Sequence, residues 1–299
     1  MRFISVGECM VELSGAGPDL WKSGFAGDTL NTAWYARALL PADWQVDYLT
    51  AVGTDPLSER MVAFIAAAGI GTAAIQRHPD RVPGLYMIEL REGERSFTYW
   101  RDNSAARTLA DDPARLAAGL AGADVIYVSG ITLGILTEAA RGHLLAALEG
   151  ARGRGARVVF DPNLRPRLWR SGAEMCAATT EAARRADIVL PSHEDEAAWF
   201  GDASVAATAL RYLALGAGEV LVKNGGAEMV LAESGRIRPL PAMERVAPVD
   251  TTGAGDSFNG GYLAARLGGL PAEEAARRGH AVAMKVVGHR GALMPFEAL

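Results

Sequence analysis

The chain has 299 residues, of which 49% are hydrophobic and 22% are charged. A chain of this length can bury roughly three quarters of its unfolded surface, and the composition excludes collagen-like, coiled-coil and wholly disordered proteins. The formal net charge is -5, from 30 basic and 35 acidic residues. Basic residues occur in no run longer than two, so neither a nucleic-acid partner nor a charged lipid surface is expected.

Cysteine usage and the start of the chain indicate the compartment. Cys9 and Cys176 are far apart, which predicts neither a disulfide framework nor a zinc cluster. Glu8 and Glu12 lie where a signal peptide needs an apolar stretch, and the most apolar window, residues 61–75, is shorter than the ~20 residues that span a bilayer. We therefore expect a cytoplasmic protein without a membrane segment.

Short β-rich segments alternate with segments of helical period. The strands are predicted at residues 2–6, 46–52, 125–129, 157–161, 188–190 and 220–223. The helices are predicted at residues 31–40, 57–68, 136–152, 172–185, 205–215, 254–267 and 271–287. Several strands are continuous apolar runs, as strands covered on both faces are. This order predicts an α/β fold with a doubly wound, mostly parallel sheet flanked by helices.

One segment breaks the alternation. Residues 84–90 and 95–100 flank the polar turn REGER, which predicts a β-hairpin with no helix beside it. Together with residues 11–25, this hairpin is expected to form a small separate sheet. We predict one domain over residues 1–299, with a lid formed by about residues 10–26 and 83–103.

Residues 249–261 read VDTTGAGDSFNGG and lead into a helical pattern. Small residues leave the amides of Gly253, Ala254 and Gly255 unshielded at a helix N-terminus, where N–H donors and the positive end of the helix dipole can face one anion. Asp256 lies in the first turn of that helix. The pattern predicts an anion site; the alternative is a capped helix whose glycines only allow close packing.

Residues 250–256, DTTGAGD, resemble the signature of the ribokinase-like (PfkB-type) carbohydrate kinases. In that family the aspartate is the base for the sugar hydroxyl, and the preceding amides stabilise the transferred phosphoryl group. The resemblance assigns these roles to Asp256 and to the amides of Gly253, Ala254 and Gly255. Because phosphoryl transfer depends more on positioning and charge stabilisation than on base strength, a carboxylate of ordinary or lowered pKa is sufficient.

Residues 26–31, AGDTLN, resemble the family's sugar-binding glycine turn and its downstream asparagine. The resemblance assigns Gly27, Asp28 and Asn31 to the substrate. Asp28 adds an acceptor for sugar hydroxyls, and the alternative is that it only caps the helix.

Two further segments, DPNLR at residues 161–165 and YWRDNSAAR at residues 99–107, resemble the 2-keto-3-deoxygluconate kinases. In those enzymes arginines and lid tyrosines hold the open-chain sugar acid. The resemblance assigns Tyr86 and Tyr99 to hydroxyl and keto oxygens, and Arg101 and Arg165 to the acid end. Planar charged donors suit a carboxylate. The alternatives are an exposed strand arginine for Arg101 and a surface loop for Arg165.

The nucleotide side matches the family less closely. Ser192 and Asp195 lie where the family has N-x-x-E, a segment that helps to place Mg²⁺ through water, and Glu194 competes with Asp195 for this role. Lys223 is expected to contact phosphate, or alternatively to be an exposed strand-end lysine, and Ser192 is alternatively a helix cap. The other nucleotide-side or cation-site residues that the resemblance implies are Gly225 and Gly226 beside the triphosphate, His280 near adenine, and Asp250 and Thr252 at a monovalent cation.

The sequence therefore predicts a kinase that moves the γ-phosphoryl group of MgATP to the terminal hydroxyl of 2-keto-3-deoxygluconate, giving 2-keto-3-deoxy-6-phosphogluconate and ADP. The alternatives are a kinase of a neutral sugar such as fructose or ribose, and a non-catalytic sugar- or nucleotide-binding sensor. Lid edges often pair between subunits in this family, which implies a homodimer or a higher homo-oligomer. The sequence contains neither a P-loop motif nor a G-x-S-x-G motif.

Overall fold

A computed structural model describes residues 1–17, 19–91 and 94–299. Its strands, in chain order, are β1 (Arg2–Val6), β2 (Met10–Gly17), β3 (Leu20–Ala26), β4 (Gln45–Leu49), β5 (Ala51–Val52), β6 (Gln76–Arg77), β7 (Leu85–Arg91), β8 (Glu94–Trp100), β9 (Val125–Ser129), β10 (Arg157–Asp161), β11 (Ile188–Val189), β12 (Glu219–Val222), β13 (Met229–Glu233) and β14 (Arg236–Leu240).

Helices fill most of the connections between these strands. They are α1 (Asp28–Leu39), α2 (Pro56–Ala67), α3 (Pro113–Gly119), α4 (Gly130–Ile135), α5 (Glu138–Gly153), α6 (Gly172–Ala183), α7 (His193–Phe200), α8 (Val205–Ala214), α9 (Ala254–Leu267) and α10 (Ala272–Val287). Several begin at a short polar side chain that accepts a backbone N–H of the first turn, as Asp55, Thr137 and Ser204 do. Such caps satisfy donors that have no partner inside the helix.

The larger sheet has the strand order β14-β13-β12-β11-β10-β9-β1-β4. Six neighbouring strands run parallel to one another: β12, β11, β10, β9, β1 and β4. The last two strands, β13 and β14, are antiparallel to their neighbours. From β1 the chain continues to β4, which lies on one side of β1 in the sheet. It later returns to β9, on the opposite side of β1, and continues outward from there to β10. The strand order therefore reverses between β1 and β9, and ligands of such sheets bind at the carboxyl ends of the strands at this point.

Both faces of this sheet are covered. Ile126 and Val128 of β9 pack into the core on one side, with residues of α5, whereas Val125 and Tyr127 pack into the core on the other side, with residues of α1 and α9. Successive strand residues point to opposite faces, so an all-apolar strand requires helices on both. This arrangement confirms the predicted doubly wound α/β fold.

A separate sheet has the order β3-β2-β7-β8. The outer pairs are antiparallel, and β2 runs parallel to β7 from the pair Val11 and Leu85 onward. This confirms the small sheet predicted from residues 11–25 and the hairpin. The predicted turn includes residues 92 and 93, which lie outside the described residues.

Some predicted elements differ from the structure. The strand predicted at residues 46–52 is divided, because β4 belongs to the larger sheet while β5 pairs with β6. The antiparallel strands β13 and β14 and the short helices α3, α4 and α7 were not predicted; α4 and α7 are too short for a clear helical period. Over the described ranges, no helix is both long and apolar enough to cross a membrane.

Candidate active site

Polar side chains collect at the carboxyl ends of the parallel strands. The predicted residue Lys223 follows β12, and it is joined there by Glu8 after β1, Ser129 at the end of β9 and Asp161 at the end of β10. The N-terminus of α9 meets this edge, since Asp256 contacts α1 and the residue next to it lies near Lys223. The site is thus built where the strand order of the sheet reverses.

The turn before α9 has the geometry that its glycines predict. Gly253 is the N-cap, with a φ of 74°, a left-handed conformation that favours glycine, and it makes no side-chain cap bond. A Cβ atom at Gly253 would lie 3.0 Å from Ala292. The amide of Ala254 donates to the Thr251 carbonyl at 3.2 Å, whereas within the described residues the amides of Gly253 and Gly255 have no backbone acceptor. Two of the three predicted amides are therefore available to an anion.

Asp256 is partly buried in the first turn of α9, and its Oδ2 accepts a hydrogen bond from Asn31 Nδ2 at 2.8 Å. The pKa of Asp256 is raised to about 7. Burial is the largest cause and the neighbouring carboxylates of Asp28 and Asp161 add to it, while Asn31 and Lys223 act in the opposite direction. The pKa of this carboxylate is therefore raised, whereas an ordinary or lowered pKa would already suffice for phosphoryl transfer.

Asp28 is the first residue of α1, after the N-cap Gly27, so it does not cap the helix as the alternative proposed. Its Oδ2 accepts a hydrogen bond from Asn163 Nδ2 at 2.8 Å. Burial raises the pKa of Asp28, and Asp161 contributes, while hydrogen bonds from Ser129 and Asn163 lower it. Asn31, one turn further along α1, connects this helix to Asp256.

A buried polar network lies beside the carboxylates. Lys223 Nζ donates to Asp161 Oδ2 and to Asn259 Oδ1, both at 3.1 Å. Asn259 Nδ2 in turn donates to Asp161 Oδ2 at 2.6 Å and to the Tyr127 hydroxyl at 3.0 Å. The network holds the lysine ammonium near the glycine turn, where a Cβ at Gly255 would lie 3.8 Å from Nζ. Lys223 is therefore a buried, paired cation and not an exposed strand end.

Several polar residues of the site have no role predicted from the sequence. Asp161 and Asn163 belong to the DPNLR motif, in which only Arg165 has a predicted role, and Asn259 lies in the helix that follows the glycine turn. Its spacing could have found it, since Asn259 follows Asp256 by three residues and side chains at that spacing share a helix face.

The predicted sugar side involves the small sheet. Tyr86 on β7 and Tyr99 on β8 are directly opposite in register, and their ring centroids are 5.9 Å apart. The Tyr86 hydroxyl donates to Glu12, and burial together with this carboxylate raises the pKa of Tyr86. Arg101 is buried and donates to Glu8, so it is not the exposed strand arginine facing Asp102 or Glu94 that the alternative described.

Arg165 lies in the loop after β10, and its side chain is half-exposed. Its Nη1 is 3.8 Å from Asp195 Oδ2, the residue predicted for the nucleotide side. Burial raises the pKa of Asp195, and Arg165 lowers it. Ser192 is at the N-cap of α7 but its side chain makes no cap bond, which removes the support for the capping alternative. The structure thus connects a residue predicted for the sugar with one predicted for phosphate.

The remaining predicted residues occupy separate positions. Gly225 and Gly226 form a turn after β12, with φ values of 54° and 81°. His280 is buried in α10, and its Nε2 is 2.7 Å from the Glu244 carbonyl oxygen. The Asp250 carboxylate accepts the amides of Thr252 and Gly291, both at 2.8 Å. The described part of the chain contains no cluster of three histidine, cysteine or acidic residues that could hold a metal ion.

The chain is similar over nearly its whole length to proteins of known sequence and structure. A 2-dehydro-3-deoxygluconokinase of Dickeya dadantii (strain 3937) is 42% identical over 301 residues, covering 98% of this chain and 97% of the relative. The crystal structure of a PfkB protein from Polaromonas sp. JS666 has a TM-score of 0.83 at 29% identity and covers 96% of both chains. A fructokinase from Xylella fastidiosa with bound ATP has a TM-score of 0.83 at 22% identity, covering 100% of this chain and 94% of that chain.

The model of the pfkB family carbohydrate kinases matches residues 2–299. This match includes the strands, the glycine turn and Asp256. The chain therefore belongs to the pfkB family of carbohydrate kinases.

Proposed function

We propose that the protein transfers the γ-phosphoryl group of MgATP to the terminal hydroxyl of 2-keto-3-deoxygluconate, also named 2-dehydro-3-deoxygluconate. One observation carries the proposal: Asp256, hydrogen-bonded to Asn31, lies at a helix N-terminus where, among the described residues, the amides of Gly253 and Gly255 have no backbone acceptor. The name of the relative with 42% identity supports the choice of substrate, and the ATP bound to the fructokinase neighbour supports the choice of donor.

In the reaction, the substrate hydroxyl loses its proton to Asp256 as its oxygen attacks the γ-phosphorus. The bond between the γ-phosphorus and the bridging oxygen breaks, and ADP leaves with the electron pair. The amides of Gly253 and Gly255 stabilise charge on the transferred group, because they are fixed donors at the positive end of a helix. Lys223, held by Asp161 and Asn259, adds a fixed positive charge beside them.

The residues near the phosphate side fit a magnesium ion that arrives with the nucleotide. Mg²⁺ usually keeps several waters and takes few protein ligands, and here Asp195 offers one partly exposed carboxylate. Glu194, in the same first turn of α7, offers a second. When bound, the ion neutralises charge on the β- and γ-phosphates. Asp250 and Thr252 are the candidate residues for a monovalent cation. The support is that the Asp250 carboxylate accepts the amides of Thr252 and Gly291 and so fixes the backbone of both segments.

The small sheet acts as the lid in this proposal, and its apolar surface supports a homodimer. Its exposed large apolar residues are Leu20, Trp21, Phe97, Tyr99 and Trp100. A sheet with unpaired edge strands and exposed apolar side chains is commonly covered by another protein chain. Light scattering with size-exclusion chromatography measures the mass of the particle in solution, and a monomer at micromolar concentration would contradict this assembly.

A coupled assay of ADP release tests the function with 2-keto-3-deoxygluconate, gluconate, fructose and ribose. We expect the highest kcat/KM with 2-keto-3-deoxygluconate. Equal or higher kcat/KM with fructose or ribose would favour the neutral-sugar kinase. Absence of ADP release with all four sugars, together with measurable binding by calorimetry, would favour the non-catalytic sensor.

A further inference from the structure

Glu8 lies between β1 and β2 and has no role in the assignments above. Its side chain is fully buried, and its Oε2 accepts a hydrogen bond from Arg101 Nη2, whose side chain is only 8% exposed. The two residues are 93 positions apart in the chain. A buried ion pair is costly to desolvate, and breaking one partner is strongly destabilising, so the pair fixes both chain segments in place.

The pair lies where the small sheet joins the larger body of the protein. The four junctions are the start of β2 at Met10, the end of β3 at Ala26, the start of β7 at Leu85 and the end of β8 at Trp100. Glu8 is packed against residues at the others: a Cβ at Gly27 would lie 2.1 Å from the Glu8 carbonyl oxygen, and a Cβ at Gly84 would lie 2.8 Å from Glu8 Oε1. The Glu8 backbone therefore excludes a side chain at Gly27, and a side chain at Gly84 would displace the Glu8 carboxylate, so Glu8 lies against the ends of both β3 and β7.

The pairing of Glu8 with Arg101 is incomplete. Arginine and carboxylate can form two parallel hydrogen bonds, but here Glu8 Oε1 and Arg101 Nε are both buried with no hydrogen-bond partner among the described residues. Buried polar atoms in folded proteins nearly always have a partner. The orientation of the guanidinium therefore depends on the single hydrogen bond between Arg101 Nη2 and Glu8 Oε2.

The orientation of Arg101 also affects the tyrosines proposed for the sugar. Its guanidinium carbon is 5.9 Å from the centroid of the Tyr99 ring. The Tyr99 ring in turn packs against the Tyr86 ring, with the two ring centroids 5.9 Å apart. A shift of the guanidinium would therefore change the surroundings of both rings.

We propose that Glu8 is a positioning residue for the sugar acid: it holds Arg101 and the base of the small sheet in the geometry that binds the substrate. The inference rests on the proposed function, because it takes Arg101 to act on the sugar acid. It predicts that the length of the Glu8 side chain controls the affinity for the sugar and not the affinity for ATP.

The first test is Glu8→Asp, which keeps the charge but shortens the side chain and so displaces the guanidinium. We expect KM for 2-keto-3-deoxygluconate to rise about tenfold, in line with the loss of one charge-assisted hydrogen bond, and KM for ATP to stay unchanged. Glu219→Asp is the matched control. Glu219 is a buried carboxylate at the amino end of β12, paired with Arg266 at 2.9 Å, and its shortening should lower the melting temperature without changing KM for the sugar acid.

The second test combines Glu8→Asp with Arg101→Gln. If Glu8 acts through Arg101, the double variant has the same KM for the sugar acid as Arg101→Gln alone. Increases in KM that multiply in the double variant would overturn the inference, as would an unchanged KM in Glu8→Asp while Arg101→Gln raises it; in both cases the proposed function stands. A wild-type protein that does not phosphorylate the sugar acid would instead overturn the function and, with it, the role of Glu8 for that substrate.

Discussion

Asn31 Nδ2 donates a 2.8 Å hydrogen bond to Asp256 Oδ2, although the two residues are 225 positions apart in the chain. Each residue lies in the first turn of its helix, Asn31 in α1 and Asp256 in α9. The two helices pack side by side. The contact joins the predicted sugar-binding turn to the predicted phosphoryl site, as a kinase that brings sugar and nucleotide together requires.

Replacement of the proposed base tests the chemistry most directly. Asp256→Asn keeps the size of the side chain and an acceptor for Asn31 but cannot take a proton from the substrate. We expect kcat to fall by about 10²- to 10⁴-fold, which is the usual contribution of a positioned base, with little change in KM for ATP. Steady-state ADP release measures both, and turnover close to that of the wild type would remove Asp256 from this role.

The same variant should change stability in a pH-dependent way. The pKa of Asp256 is raised to about 7 in the folded protein, whereas an aspartate in an unfolded chain titrates near pH ~3.9. The folded state therefore binds the extra proton, and stability is lost as the pH rises through this interval. Asp256→Asn lacks this loss, so its melting temperature should exceed that of the wild type at pH 8 and approach it at pH 4. An equal difference at both pH values would argue against a raised pKa.

The pH dependence of the reaction should report the carboxylates around the base. We expect kcat/KM of the wild type to fall as the pH drops below about 7, when Asp256 becomes protonated. The charged or polar groups acting on Asp256 are Asp28, Asp161, Asn31 and Lys223. Because the Asp28 charge raises the pKa of the base, Asp28→Asn should move the acid limb of the profile to lower pH.

Asp43→Asn is the control for this measurement, since Asp43 is exposed in the loop between α1 and β4. It should leave the profile unchanged. If the acid limb of Asp28→Asn coincides with that of Asp43→Asn, Asp28 does not adjust the base.

Arg165 can be assigned to one substrate by its kinetic effect. It is half-exposed and 3.8 Å from Asp195, a pair that contributes little to stability, so Arg165→Ala should fold and melt like the wild type. We expect KM for the sugar acid to rise while KM for ATP stays constant. A selective increase in KM for ATP would place Arg165 on the nucleotide side, through its contact with Asp195.

The pattern of apolar strands was sufficient to predict the fold class, and the glycine turn was sufficient to predict a helix N-terminus beside Asp256. The predicted strands at residues 2–6, 125–129 and 157–161 coincide with β1, β9 and β10, and the helix at residues 254–267 coincides with α9. Local sequence determines such elements because period, turn residues and caps act over a few positions.

Only the tertiary structure decided which charged and polar side chains contact one another. The pairing of Arg101 with Glu8, of Asp28 with Asn163 and of Lys223 with Asp161 joins segments that are distant in the chain. The raised pKa of Asp256 depends on the same packing, since burial and the approach of other carboxylates cause it. Motifs identify which residue types the chemistry needs, but the partners, burial and protonation of those residues depend on distances in space that no local pattern encodes.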